Sequence, residues 1–139
     1  MRLRLATLLA ALWWGSLTSL GAVVVPLLFK HLPTPAAAGA MAAKLFAAQT
    51  WVSMGCALLL LLVFNRAQDH GLTGPAQRVL KFVIAGLLLA LLVEFAVSPQ
   101  IVSARASGAS LRLWHGLGST MFAAQWVCAG LVLWRVTRR

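Results

Sequence analysis

A carboxylate inside an apolar run is the group in this sequence that most demands a chemical explanation. Glu94 stands in LLVEFAV, and the only other acid in the 139 residues is Asp69. An ionised carboxylate in hydrocarbon is costly, so Glu94 is expected to face the interior of a bundle and to be either held neutral or paired with a cation. Lys44, Arg105 and Arg112 are the cations expected at its end of the molecule. Gln49 and Gln125 are the neutral partners that would make it a structural hydrogen-bonding group instead. Both readings are open: a proton, cation or substrate site on the one hand, a buried hydrogen bond on the other. The expectation is one polar cluster of Lys44, Gln49, Glu94 and Gln125.

Soft ligands form a second constellation. Gln49, Ser53 and Cys56 fall at i, i+4 and i+7, and Met121, Gln125 and Cys128 repeat that spacing, so each set lines one helical stripe. Thiol and thioether sulfur suit Cu(I) and similar ions. The competing reading is that Cys56 and Cys128 are small apolar fillers and that the glutamines hydrogen-bond between helices. His31 and His115 are expected at equal depth at one membrane face, which raises haem or metal ligation against simple interfacial packing beside Trp114. His70 belongs to a polar loop. No cofactor is required by the sequence as a whole; copper and haem are the two that these side chains could hold. There is no GxSxG, HExxH, phosphate-binding loop or carboxylate pair, so an enzyme is not expected.

The elements that must carry these groups are membrane helices. The chain is 61% hydrophobic, with mean hydropathy +0.89, too apolar for its polar residues to cover a soluble surface. Four apolar runs approach the ~20 residues needed to cross a bilayer. Helices are expected over about 5–29, 35–64, 79–102 and 114–135, making one four-helix transmembrane domain over residues 1–139. Thr34 and Pro35 form a helix start, as a cap followed by a residue whose missing N–H costs nothing there. The first run resembles a signal peptide but continues through VVVPLLF past any cleavage site, so it is expected to stay as a span.

Charge gives orientation. Eight Lys and Arg flank the ends shared by the two termini and the middle loop, and four flank the other side, which predicts both termini in the cytoplasm of a bacterial inner membrane. The net charge of +10 then reflects topology and attraction to anionic lipid, and no nucleic-acid partner is expected. The bilayer itself is the expected partner, together with a second copy or other membrane subunits.

The phrase FAAQ occurs at residues 46–49 and again at 122–125, each time after a proline-bearing run, VVVPLL or FAVSPQI. The chain therefore reads as two tandem helical hairpins related by an axis along the membrane normal. Gly15, Ser19, Ala22 and Pro26 make a stripe of small residues that is expected to be a helix contact. Trp114 and Trp134 suit the interface, while Trp13, Trp14, Trp51 and Trp126 are expected to pack inside.

The segments LWWGSLTSLGAVVVPLLF, MAAKLFAAQTWVSMGCA, VSPQIV and RLWHGLGSTMFAAQWVCAG together resemble the bacterial family called domain of unknown function 4149. That family is grouped with the eukaryotic transmembrane protein 205, whose Lys-Leu-Phe, Ser-Met-Gly-Cys-Ala and His-Gly-Leu-Ser elements are similar to residues 44–46, 53–57 and 115–119 here. The resemblance implies a small four-helix membrane protein with no assigned chemistry. The association of the eukaryotic relative with cisplatin resistance implies soft-metal handling; the chain lacks that relative's hydrophilic insertion between the third and fourth helices. Two functional classes follow. One is a small transporter or channel-like protein for an ion or soft metal, with Glu94 as its site. The other is a non-catalytic binding or assembly subunit that docks through the small-residue face, and a haem-binding redox protein stands third.

Overall fold

The computed structural model describes the backbone of residues 2–68, 75–107 and 111–138, with side chains for 3–65, 79–104 and 111–138. Every described element is helical. The first span comprises α1 (Arg2–Ser19), a π-helical turn (Leu20–Val24) and α2 (Val25–His31). The second is α3 (Pro35–Gln68). The third comprises α4 (Pro75–Leu92), a second π-helical turn (Val93–Val97) and α5 (Ser98–Ser107), and the fourth is α6 (Leu111–Thr137). Four stretches, Leu3–His31, Pro35–Asn65, Val79–Ala104 and Leu111–Thr137, are long and apolar enough to cross a membrane. The chain is a multi-pass helical membrane protein. Four crossings bring both termini to one side, here the terminal end; the opposite side is the hairpin end.

Proline explains both breaks. A π turn accepts N–H groups five residues on, and Val25 N–H bonds Leu20 O while Ser98 N–H bonds Val93 O. The next residue in each case is proline, Pro26 or Pro99, which has no N–H to give and whose ring crowds the preceding turn. Inserting one extra residue per turn relieves that crowding without ending the helix. The second span starts as its sequence leads one to expect: Ala37 N–H donates to Thr34 Oγ1 at 3.2 Å and Ala38 N–H to Thr34 O at 3.1 Å, with Pro35 opening the helix.

The four spans pack as a square in chain order, each touching the span before and after it, with α6 closing against α1. Helical periodicity fills the terminal half. Ala6, Ala10, Trp13 and Leu17 from α1 meet Ala57, Leu60 and Phe64 from α3, Val79 and Val83 from α4, and Ala129, Val132 and Val136 from α6. Trp13 is fully buried at the centre, where its ring edge meets Gly86 on the diagonally opposite span. Its Nε1 has no hydrogen-bond partner among the described residues. Outside, Leu8, Trp51, Phe95 and Leu113 are each at least 65% exposed, as lipid-facing side chains should be. At the terminal end the guanidinium of Arg135 lies 4.7 Å from the Phe82 ring centre and that of Arg138 lies 4.3 Å from Trp134. Arg–aromatic pairs of this kind anchor a span at the interface.

Two packing expectations are corrected. The stripe of Gly15, Ser19, Ala22 and Pro26 faces outward: a methyl group at Gly15 would meet nothing within 4 Å, and the other three are exposed. Gly15 is two residues from Trp13, about 200° around the helix, and the large indole takes the inward position. Trp51 and Trp126 also lie outside, 65% and 38% exposed. Trp126 instead braces the surface between α1 and α6. Its Nε1 donates to Thr18 Oγ1 at 2.8 Å, and its ring lies 5.6 Å from that of Trp14.

Candidate functional site

The repeated FAAQ phrase sets Phe and Gln three residues apart, so both project from the same side of their helix. At the centre of the bundle the two copies meet. Phe46 and Phe122 contact edge to face, with ring centres 5.1 Å apart. One turn toward the terminal end, Gln125 Nε2 donates to Ser53 Oγ at 2.9 Å, and Gln49 Nε2 donates to Ser16 Oγ at 2.9 Å and to Ser53 Oγ at 3.4 Å. Ser16 Oγ donates onward to Trp13 O at 3.0 Å. Gln49, Ser53 and Gln125 are all buried. The two glutamines thus share one serine hydroxyl and tie α1, α3 and α6 together where the tightly packed half of the molecule begins.

On the other side of the Phe pair lies a cavity of about 290 Å³. All four spans wall it. Gly21, Val25 and Phe29 come from the first, Ala42, Ala43 and Phe46 from α3, Val93, Glu94, Ser98, Ile101 and Val102 from the third, and His115, Gly118, Ser119 and Phe122 from α6. Each helix break contributes at its own level: Gly21 lies within one π turn and Glu94 within the other. Irregular backbone inside a bilayer is tolerated only where protein or a cavity shelters it, and here both broken turns border the same space. The bundle can open there because Pro26 and Pro99 sit in the spans that would otherwise close it, and because glycine and alanine replace larger side chains on α3 and α6.

The chemistry of this space is unusual for its surroundings. Glu94, Ser98, His115 and Ser119 line it, and among the described residues none of the four has a hydrogen-bond or ion-pair partner. No described Lys or Arg lines it. One acid, one imidazole and two hydroxyls therefore converge on a largely hydrocarbon-walled chamber, an arrangement suited to binding a small polar or charged group attached to an apolar body.

The expected single polar cluster separates into two. Gln49 and Gln125 join each other through Ser53, whereas Glu94 lies beyond the Phe46–Phe122 pair, in the cavity. Lys44 is exposed on the outside of α3, because the inward positions of that turn are taken by Ala42 and Phe46; Arg112 is exposed, and the Arg105 side chain lies outside the described residues. The sulfur residues lie outside the cavity: Cys56 is buried in the apolar core with Ala57 and Leu60, and neither Cys128 nor Met121 lines that space. Among the described residues, no three His, Cys, Asp or Glu side chains come together as a metal site. Both His31 and His115 are exposed, and of the two only His115 lines the cavity. Asp69 and His70 lie outside the described residues.

Ser16, Ser98, Ser119 and the Phe46–Phe122 pair are additions that sequence reasoning missed. The signal was present in part. Glu94 and Ser98 are four residues apart, and His115, Ser119 and Phe122 stand at i, i+4 and i+7, each a one-face helical pattern.

Compared with known proteins, a family model described as a domain of unknown function (DUF4149) matches residues 8–110. No curated protein and no solved structure matches.

Proposed function

Because the chain belongs to the DUF4149 family, whose description names no activity, its function has to be argued from its own site, and we propose that it is a small membrane transporter with the four-walled cavity as its solute site. One observation carries this reading: Glu94, the one acid in the spans, lines a cavity without a partner among the described residues. A carboxylate kept inside a bilayer with no structural hydrogen bond is expected to serve a ligand or a proton. A carrier is favoured over a channel. The cavity ends at Phe46 and Phe122, and beyond them the glutamine network and Trp13 fill the bundle, so passage requires a conformational change. Because no sulfur residue lines the cavity, the proposed solute is not a soft metal, and the role proposed is not enzymatic.

Orientation forms part of the proposal. The excess of Lys and Arg at the terminal end supports both termini in the cytoplasm of a bacterial inner membrane, with the cavity toward the opposite side. The five-residue breaks, each ending two residues before a proline, support the reading of two tandem hairpins. Hinges of this kind, in the first span of each half, would let the hairpin end rearrange while the packed terminal half stays intact.

The test is accessibility. Ser98→Cys in a Cys56→Ser/Cys128→Ser background, reconstituted in vesicles, is treated with an impermeant thiol reagent from each face. A carrier exposes Ser98 to the hairpin side at rest and to the terminal side in a fraction of molecules under a solute or ion gradient. Labelling from one face only, under every gradient applied, rejects transport.

A second reading rests on a separate observation, the outward-facing stripe of Gly15, Ser19, Ala22 and Pro26. Small residues facing lipid permit close approach by another helix. An assembly subunit or a homo-oligomer would use that face, and Gly15→Leu or Ser19→Leu would then abolish co-purification while leaving the isolated chain folded.

A further inference from the structure

We propose that the solute is an organic monocation, an amine or quaternary ammonium with a small apolar body. This inference rests on the cavity being the solute site and deepens that reading by assigning the ligand's class.

The sign of the charge follows from two sources. One is the Glu94 carboxylate. The other is backbone carbonyl groups released by the two proline breaks. In the first span Val25 N–H bonds Leu20 O, and the following N–H, which would serve Gly21 O in the same register, is missing because residue 26 is proline. In the third span Ser98 N–H bonds Val93 O, and the N–H that would serve Glu94 O is missing because residue 99 is proline. Gly21 has no side chain, so the surface it gives the cavity is backbone. Both carbonyls belong to residues that line the cavity, where partial negative charge favours a positive ligand, and no described Lys or Arg in the lining offers an anion a counter-charge.

The size and lining decide between a metal ion and an organic cation. A bare metal ion needs a close shell of about six oxygens, and would leave most of the roughly 290 Å³ empty. Val25, Val93, Ile101 and Val102 offer aliphatic contact, and Phe29, Phe46 and Phe122 offer aromatic rings that attract a diffuse cation. An ammonium with alkyl substituents is also less tightly hydrated than a metal ion, so it enters a membrane-embedded site more readily. A single carboxylate balances one positive charge; a dication would carry an uncompensated charge into hydrocarbon.

The experiment uses the full chain purified in mild detergent, with thermal unfolding midpoint and intrinsic fluorescence followed against probe concentration at constant ionic strength. The probes are choline chloride, its neutral carbon isostere neohexyl alcohol, and sodium chloride. Choline should give a saturable stabilisation, the isostere should bind about tenfold or more weakly, and sodium should give no saturable response. Glu94→Gln should remove the preference for choline over its isostere, and Phe46→Leu should weaken choline several-fold while keeping that preference. If neohexyl alcohol binds as well as choline, or wild type responds to neither, the assignment is overturned. A saturable sodium response that depends on Glu94 also overturns it, in favour of an inorganic cation. The comparison on wild type holds even if Glu94→Gln does not fold, and Glu94→Asp then tests the carboxylate. The two-sided labelling of Ser98→Cys judges transport independently, so failure of the ligand class and failure of the carrier reading give different results.

Discussion

Ser53→Ala should reveal how unequally the two glutamines depend on their shared hydroxyl. Ser53 Oγ accepts from Gln125 Nε2 at 2.9 Å and from Gln49 Nε2 at 3.4 Å. Gln49 keeps a second acceptor, Ser16 Oγ at 2.9 Å, when Ser53 loses its hydroxyl. Gln125, only 4% exposed, loses the one acceptor described for its amide. Interhelical hydrogen bonds in membranes average about 0.6 kcal/mol and reach about 1.7, and a stranded buried donor costs about 1–3 kcal/mol. Ser53→Ala should therefore destabilise by roughly 1.5 kcal/mol, within those two ranges. In double-mutant cycles the coupling of Ser53 to Gln125 should be about 1 kcal/mol, and that to Gln49 about 0.3 kcal/mol or less, since 3.4 Å is near the limit of a useful bond. The assay is reversible unfolding in mixed dodecylmaltoside and dodecyl sulfate micelles, read by the fluorescence of the six tryptophans. Equal couplings, or a Ser53→Ala protein as stable as wild type, would refute the assignment of Ser53 as the joint of the network.

Glycine substitutions should separate inward from outward positions. A methyl group on Gly86 would lie 2.7 Å from Trp13 Cη2 and 2.9 Å from Cζ2, with Trp13 fully enclosed, so Gly86→Ala should lose about 1 kcal/mol after its helix-propensity gain is offset by overpacking; Gly15→Ala, with open space around it, should be neutral or slightly stabilising in the same unfolding assay. Pro99→Ala restores the N–H missing after the second π turn, and should raise the unfolding midpoint while weakening choline binding several-fold as Glu94 turns away from the cavity. Cys56→Ser buries a hydroxyl in the apolar core and should cost about 1–2 kcal/mol, yet leave choline binding unchanged; a lost response would return sulfur to the site.

Part of the fold was legible in the sequence: Trp13 was expected to pack inside, and the cap at Thr34 with Pro35 was readable from local chemistry alone. Lipid-facing and inward-facing sides were harder to tell apart. In water a helix marks its buried face by being more apolar than its exposed one, but in a bilayer both faces are apolar. Hence Trp51 and Trp126 are expected inside although they face outward, and Lys44 is expected in a cluster it does not join.

Glu94 marks the division within the candidate site. Composition identified it as a costly carboxylate in hydrocarbon, whatever its neighbours, because transfer out of water penalises the charge itself. Its surroundings depended on how four helices rotate about their axes. A rotation of one residue's worth, about 100°, decides whether a side chain meets another span or lipid.

Length and hydropathy thus determined four spanning helices, since these depend on bilayer thickness, and the missing N–H of Pro26 and Pro99 accounts for the π turns found just before them. Which groups meet was decided by close packing: Trp13 needed the space above Gly86, the two FAAQ phenylalanines met edge to face, and the glutamines were drawn to Ser53. Only that packing left Glu94, Ser98, His115 and Ser119 around a common cavity, because contacts between residues far apart in the chain depend on side-chain shape at the helix crossings, which local spacing does not specify.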